Sequence, residues 1–130
     1  MQHDMLRIAQ LTLDVQDIDV MTAFWSAALG YRVEKGDDGN AKLIPPDDAP
    51  PGAQHMWLQA SAGPKSGKNR AHPDLTATDP QAEVERLIGL GARHADVGQQ
   101  GDEPYVVLAD PEGNEFCVLT AWRDPALAGR

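Results

Sequence analysis

The sequence predicts an α+β fold made of two copies of one βαβββ unit, and three observations predict it. A short pattern occurs twice, as GlnLeuThrLeuAspValGlnAsp at 10–17 and HisProAspLeuThrAlaThrAsp at 72–79, 62 positions apart in a chain of 130. Each copy alternates apolar and polar residues like a half-buried strand and runs into an Asp that suits a helix N-cap. Each is followed by a helical stripe that ends in LeuGly, at 29–30 and again at 90–91. A chain built as two equivalent units sets matched side chains around a pseudo-twofold axis, which makes Gln10 and His72 the matched positions of a site.

The elements follow in order. Over 8–15, Ala9, Leu11, Leu13 and Val15 fall on one face, with Gln10, Thr12 and Asp14 on the other. Asp17 caps a helix whose stripe is Ile18, Met21, Phe24, Trp25, Ala28 and Leu29, and Gly30 suits the left-handed residue past its end. Strands are predicted at 31–35 and 41–44 around the turn AspAspGlyAsn, a Pro-rich loop at 45–52 and a fourth strand at 55–59. Residues 60–69 lack hydrophobic period and read as a connector, with Lys65, Lys68 and Arg70 as its solvated charges. In the second copy the strand over 71–77 tolerates Pro73 only at an edge or a strand start. Asp79 caps, Pro80 takes the first helical turn, and Val84, Leu87 and Ile88 form the stripe. Strands at 92–97, 105–109 and 115–120 complete the unit, the last two joined by AspProGluGlyAsn at 110–114, with Pro and Gly where a turn needs them. One domain is predicted over 1–130: a first module at about 7–61, a connector at 62–69, a second module at about 70–122 and a loose tail at 123–130. Helices then lie on one side of antiparallel sheet.

Composition bounds the function. A chain of 130 residues buries about two thirds of its unfolded surface, so a core forms without staples. Twenty acidic against eleven basic residues give a net charge of −9, which disfavours nucleic acid and anionic membrane and leaves cationic or amphipathic small molecules as ligands. Cys117 is the sole cysteine, so no internal disulfide forms, and the first twenty residues hold no apolar run. A cytoplasmic protein is expected. No phosphate loop, dinucleotide fingerprint, serine elbow or paired CxxC occurs.

LeuThrLeuAspValGlnAsp, then PheTrp, LeuGlyTyr and AspProGluGlyAsnGluPheCysValLeu, in this order and doubled, resemble the vicinal oxygen chelate superfamily, in its glyoxalase-like and bleomycin-resistance-like members. The resemblance covers nearly the whole chain. It implies two βαβββ modules whose mixed or antiparallel strands curl into an open cup with a ligand cavity, and a homodimer that often completes it. In metal-dependent members the first and last strands of each module each supply a ligand, which here implies Gln10 and His72 on the first strands. The last strand of the second module carries Cys117 where those enzymes place a Glu. In the first module His55, Trp57 and Gln59 share the cavity parity, and Gln59 is favoured.

Gln10, His72, Gln59 and Cys117 include no carboxylate, so they suit neither a hard cation nor an ordinary catalytic zinc site. Glu115 shares the parity of Cys117, but a one-residue slip to use it as the ligand would drive Phe116 into the cavity. Asp14, Asp74 and His72 are the titratable candidates for proton transfer on the first-strand faces, yet His72 and Asp74, two apart on one strand face, are about 7 Å apart, too far for a direct hydrogen bond without side-chain reach. Of the three tryptophans, Trp25 is expected in the core, Trp57 in the cavity and Trp122 in the core or a dimer interface.

The resulting expectation is a small-molecule-binding protein without metal, its cavity lined by Gln10, Thr12, His55, Trp57, Gln59, His72, Asp74 and Cys117. The alternatives are a metal-dependent lyase, isomerase or dioxygenase of the same superfamily, and an interaction module with no ligand.

Overall fold

A computed structural model describes residues 5–122; the tail predicted at 123–130 lies outside the described residues. The first module contains β1 (Gln10–Val15), α1 (Ile18–Leu29), β2 (Arg32–Lys35), β3 (Ala41–Ile44) and β4 (His55–Ala60). The second contains β5 (Asp74–Leu75), α2 (Pro80–Leu90), β6 (Arg93–His94), β7 (Tyr105–Ala109) and β8 (Glu115–Leu119). The duplication is exact in topology: the sheets are ordered β1-β4-β3-β2 and β5-β8-β7-β6. In each, the first strand pairs in parallel with the last, and the remaining pairs are antiparallel. Of the mixed or antiparallel arrangement expected, the sheets take the mixed form; alternation reports which face is buried and carries no strand direction, so the parallel pair shows only in the ladder. The sheets remain open, and no ladder joins one to the other among the described residues.

The local signals act as their chemistry requires. Asp17 accepts from the amides of Asp19 and Val20, and Gly30 closes α1 at φ 70°. Asp79 accepts from the amide of Ala82. Several strands are trimmed by a residue or two at an end, and β5 and β6 are shortened most, to two residues each. Pro73 donates no hydrogen bond to a ladder, so β5 starts only at Asp74, although the Cys117 amide still donates to the Pro73 carbonyl at 2.9 Å. The Ala95 amide still donates to the Val107 carbonyl at 3.1 Å, and beyond it the Gln99 side chain takes over, accepting from the Val97 amide and donating to the Ala95 carbonyl.

One core serves both modules. Val15, Met21, Phe24, Trp25, Leu43, Met56 and Leu58 of the first join Val84, Leu87, Leu108, Phe116 and Val118 of the second. Phe24 and Trp25 meet Phe116 with ring centroids 6.2 and 5.0 Å apart, each aromatic contact contributing about 1 kcal/mol beyond its buried area. On β1, by contrast, only Val15 is buried: Leu11 is 41% exposed, because an edge strand is covered on one side only and at one end. Ile88 of the α2 stripe is likewise exposed, whereas Thr22 of α1 is buried.

Polar contacts seal the same junction, and they come from the turn between β7 and β8. Asp110, fully buried, accepts from Trp25 Nε1 at 3.1 Å and from the Glu112 and Asn114 amides at 3.0 and 2.9 Å. Glu112 accepts from the amides of Gln16 and Asp17 at the entry to α1. From α2, Arg86 donates to the carbonyls of Ala27 and Ala28 at the end of α1 while paired to Glu83. A turn that reads locally as a hairpin connection is the clasp between the halves.

Candidate functional site

Two hollows among the described residues bear on function. A shallow cleft of about 640 Å³ lies where the β7–β8 turn meets α1, lined by Gln16, Asp17, Ile18, Val20, Pro111 and Glu112. Its two acids, Asp17 and Glu112, are already committed to backbone amides, so the cleft is a seam of the clasp. The second hollow, of about 360 Å³, is more enclosed and lies on the face of the second sheet.

This cavity is built by strand alternation. On β8, Phe116 and Val118 turn into the core, so Glu115, Cys117 and Leu119 turn the other way into the cavity; Tyr105 and Val107 follow from β7. β5 pairs in parallel with β8 so that Asp74 sits opposite Cys117, and His72 lies two residues earlier on the same side. Val97 and Lys68 complete the wall. No slip of β8 is needed: Glu115 lines the cavity in the same register that buries Phe116.

The chemistry concentrates at His72, Asp74 and Cys117, whose donor atoms all lie within 4.8 Å of one another. His72 Nδ1 stands 3.5 Å from Asp74 Oδ1. The separation expected from backbone spacing alone is therefore closed by side-chain reach. Cys117 is 7% exposed, and burial pushes its thiol up from the ordinary value, reinforced by the charge of Asp74 and a hydrogen bond to it and opposed by Lys68. Burial and Asp74 thus both favour the neutral thiol, an environment opposite to that of an activated nucleophile.

The connector takes part as well, which corrects the reading of Lys65 as a solvated charge. Lys65 Nζ reaches Glu115 at 3.1 Å, both side chains being less than one-fifth exposed, and also donates to the Gly67 carbonyl. The Asn69 amide donates to the other Glu115 oxygen at 3.1 Å. Burial raises the Glu115 carboxyl, but the Asn69 amide and Lys65 together outweigh it and hold the group below its ordinary range. This clamp folds residues 65–69 over the cavity and presents Lys68 to it. The signal was present in sequence as three cations in an acidic chain; that Lys65 pairs with Glu115, 50 residues away, was not legible there.

The remaining residues singled out by sequence lie elsewhere. Gln10, Thr12, His55, Trp57 and Gln59 share the face of the first sheet that points away from α1, as β1 pairs with β4 in the register Gln10↔His55, Thr12↔Trp57 and Asp14↔Gln59. Gln59 accepts from Trp57 Nε1 at 3.1 Å. None of the five lines the cavity that holds His72 and Cys117. Trp25 is in the core at 2% exposure, and Trp122 is exposed.

As to a metal, the donors that converge are one imidazole, one carboxylate and one thiol. They fit a borderline, thiophilic divalent cation, and do not fit a hard cation that requires several oxygens. The set suggested by family position fits less well, since its two amides lie outside this cavity.

A duplicated βαβββ unit with open mixed sheets and a cavity on a sheet face defines the class. The model of the glyoxalase-like domain family matches residues 10–119, and the chain belongs to that family. Among curated proteins none matches in sequence. The fold is similar to that of the fosfomycin resistance protein FosX from Mesorhizobium loti, with a TM-score of 0.68, 14% identity and coverage of 92% of this chain and 94% of that one. It is similar also to a glyoxalase/bleomycin resistance protein/dioxygenase family enzyme from Burkholderia phytofirmans PsJN, with a TM-score of 0.61, 19% identity and coverage of 85% and 94%. A mutant of FosX from Listeria monocytogenes, complexed with Mn(II) and 1S,2S-dihydroxypropylphosphonic acid, matches with a TM-score of 0.68 at 13% identity, covering 96% and 98%. At these identities the likeness is one of fold.

Proposed function

We propose that this glyoxalase-like chain binds an amphipathic small molecule in the cavity of its second sheet. The observation that carries the reading is the cavity's mixed lining. Val97, Val107 and Leu119 offer apolar surface, while Asp74, His72 and Lys68 offer charge and hydrogen bonds. Glu115, held by Lys65, adds structure and little free charge. A second copy of the chain is proposed to cover the open face that carries Trp57 and Gln59; the exposed Ile8 just before edge strand β1 supports this, and sedimentation velocity tests it.

The test is a thermal-shift screen of small molecules against protein kept in chelator. A ligand at about a hundred times its Kd adds about 2.7 kcal/mol, a shift of several degrees. Leu119→Arg, which fills the apolar surface, is expected to abolish it. A hit that binds Leu119→Arg as well as the parent overturns the placement.

The cluster of His72, Asp74 and Cys117 favours a second reading, a metal-dependent enzyme of the same superfamily. Metal analysis of untagged protein separates it from the first.

A further inference from the structure

We infer that His72, Asp74 and Cys117 form a three-ligand site for a divalent thiophilic cation of the zinc type, carried by the second module alone. This deepens the second reading above. The site departs from the two-module ligand set that family position implies: the carboxylate comes from Asp74 on β5 instead of from β8, and neither Gln10 nor Gln59 takes part.

Three features support it. First, the donors are of the right kind. Zinc takes His nitrogen at about 2.0–2.1 Å, carboxylate oxygen at about 2.0–2.2 Å and thiolate sulfur at about 2.3 Å, and a catalytic-type centre keeps a fourth position open. Tetrahedral bonds of these lengths set neighbouring donors on the order of 3.5 Å apart. His72 and Asp74 already stand at 3.5 Å, and the whole cluster lies within 4.8 Å. Rotation of His72 and Asp74, whose side chains are 37% and 49% exposed, closes the difference without moving backbone.

Second, the backbone beneath the donors is fixed. Asp74 and Cys117 are register partners of the β5–β8 ladder, and the Cys117 amide bonds the carbonyl of Pro73, the residue between His72 and Asp74. Two ligands on hydrogen-bonded strands and a third two residues before β5 need little ordering when a cation arrives.

Third, the site has a dry side and an open one. Cys117 is 7% exposed among Val107 and Leu119, whereas the fourth position faces the 360 Å³ cavity, where a small molecule would meet the cation. As the sulfur–metal bond forms, the thiol proton leaves to solvent.

The experiment uses the full untagged chain, stripped with chelator and titrated with Zn²⁺ against a chromophoric competitor, and separately with Co²⁺ under anaerobic conditions. Expected are one Zn²⁺ per chain and a Co²⁺ adduct with a thiolate-to-cobalt charge-transfer band. Cys117→Ser is expected to remove the band, and Asp74→Asn and His72→Ala to weaken Zn²⁺ binding on the order of tenfold or more; Gln59→Ala is expected to match the parent. Asp74→Asn changes an exposed side chain, so it reports even if the buried Cys117→Ser does not fold. Absence of stoichiometric Zn²⁺ binding by folded protein, a Co²⁺ adduct without the sulfur band, parent-like affinity in Asp74→Asn, or dependence on Gln59 each overturns the inference. The small-molecule reading is tested in chelator and survives or falls separately.

Discussion

Replacing Asp110 with Ala is expected to cost far more than a turn substitution usually does. Asp110 is fully buried and accepts from Trp25 Nε1, from the Glu112 and Asn114 amides, and from Asn114 Nδ2 at 3.1 Å to each oxygen. With the carboxylate gone, the Trp25 N–H, in a residue 2% exposed, has no acceptor, which costs about 1–3 kcal/mol. The turn amides belong to half-buried residues and add about 1 kcal/mol each. The sum is about 3–5 kcal/mol, a large part of the stability of a domain this size. Trp25→Phe removes the donor and trims the core, for about 1–3 kcal/mol. Because the two changes share one hydrogen bond, the double variant should cost about 1–2 kcal/mol less than the sum of the singles. Urea unfolding followed by far-ultraviolet circular dichroism, with unchanged slopes, gives all three values. Additivity within about 0.5 kcal/mol, or an Asp110→Ala cost below about 1 kcal/mol, refutes the assignment of this contact as the clasp between modules.

The same carboxyl sets a pH dependence. Burial raises Asp110 above its ordinary 3.8, opposed by the bonds from Asn114, Trp25 and Glu112. The fold therefore favours its protonated form, so that contribution is complete below the unfolded value and is lost as pH rises through the folded one. The stability difference between parent and Asp110→Asn should shrink as pH rises above the ordinary 3.8; growth with pH contradicts the sign. Lys65→Met strands the Glu115 carboxylate and should cost about 1–3 kcal/mol, discounted for partial exposure, and speed hydrogen exchange at the Asn69 amide. Adding Glu115→Gln to Lys65→Met should restore part of the loss, and an equal or greater loss by urea melts sinks the ion-pair account. Gly30→Ala forces a Cβ into φ 70° with no atom within 4 Å of it, so thermal denaturation should show a strain-only cost of about 1 kcal/mol. Arg86→Ala should cost about 1 kcal/mol through the freed carbonyls of Ala27 and Ala28, measurable in the same melts.

What was legible in sequence is what short-range physics decides. Asp17, Asp79 and Gly30 mark helix ends because a cap involves residues within one turn of each other. Strand parity sent Phe116 inward and Cys117 outward, since side chains alternate whatever the strand pairs with. The duplication and the LeuGly, PheTrp and AspProGluGlyAsn segments carried the family, and so the topology of both halves. Strand ends were less legible: β5 and β6 are two residues each, because ladder length depends on what the partner strand offers.

By itself, then, the chain's order of residues determined two βαβββ modules, their caps, their inward faces and the family. Only the tertiary structure decided which candidates meet. It set Asp74 beside Cys117 through a parallel register, bound Lys65 to Glu115 across the connector, turned the AspProGluGlyAsn hairpin into a clasp on Trp25, and left Gln10 and Gln59 outside the second-sheet cavity. Caps and alternation are encoded within a few residues. The site rests on contacts between residues tens of positions apart, and those exist only once a shared core has fixed how the two halves lie.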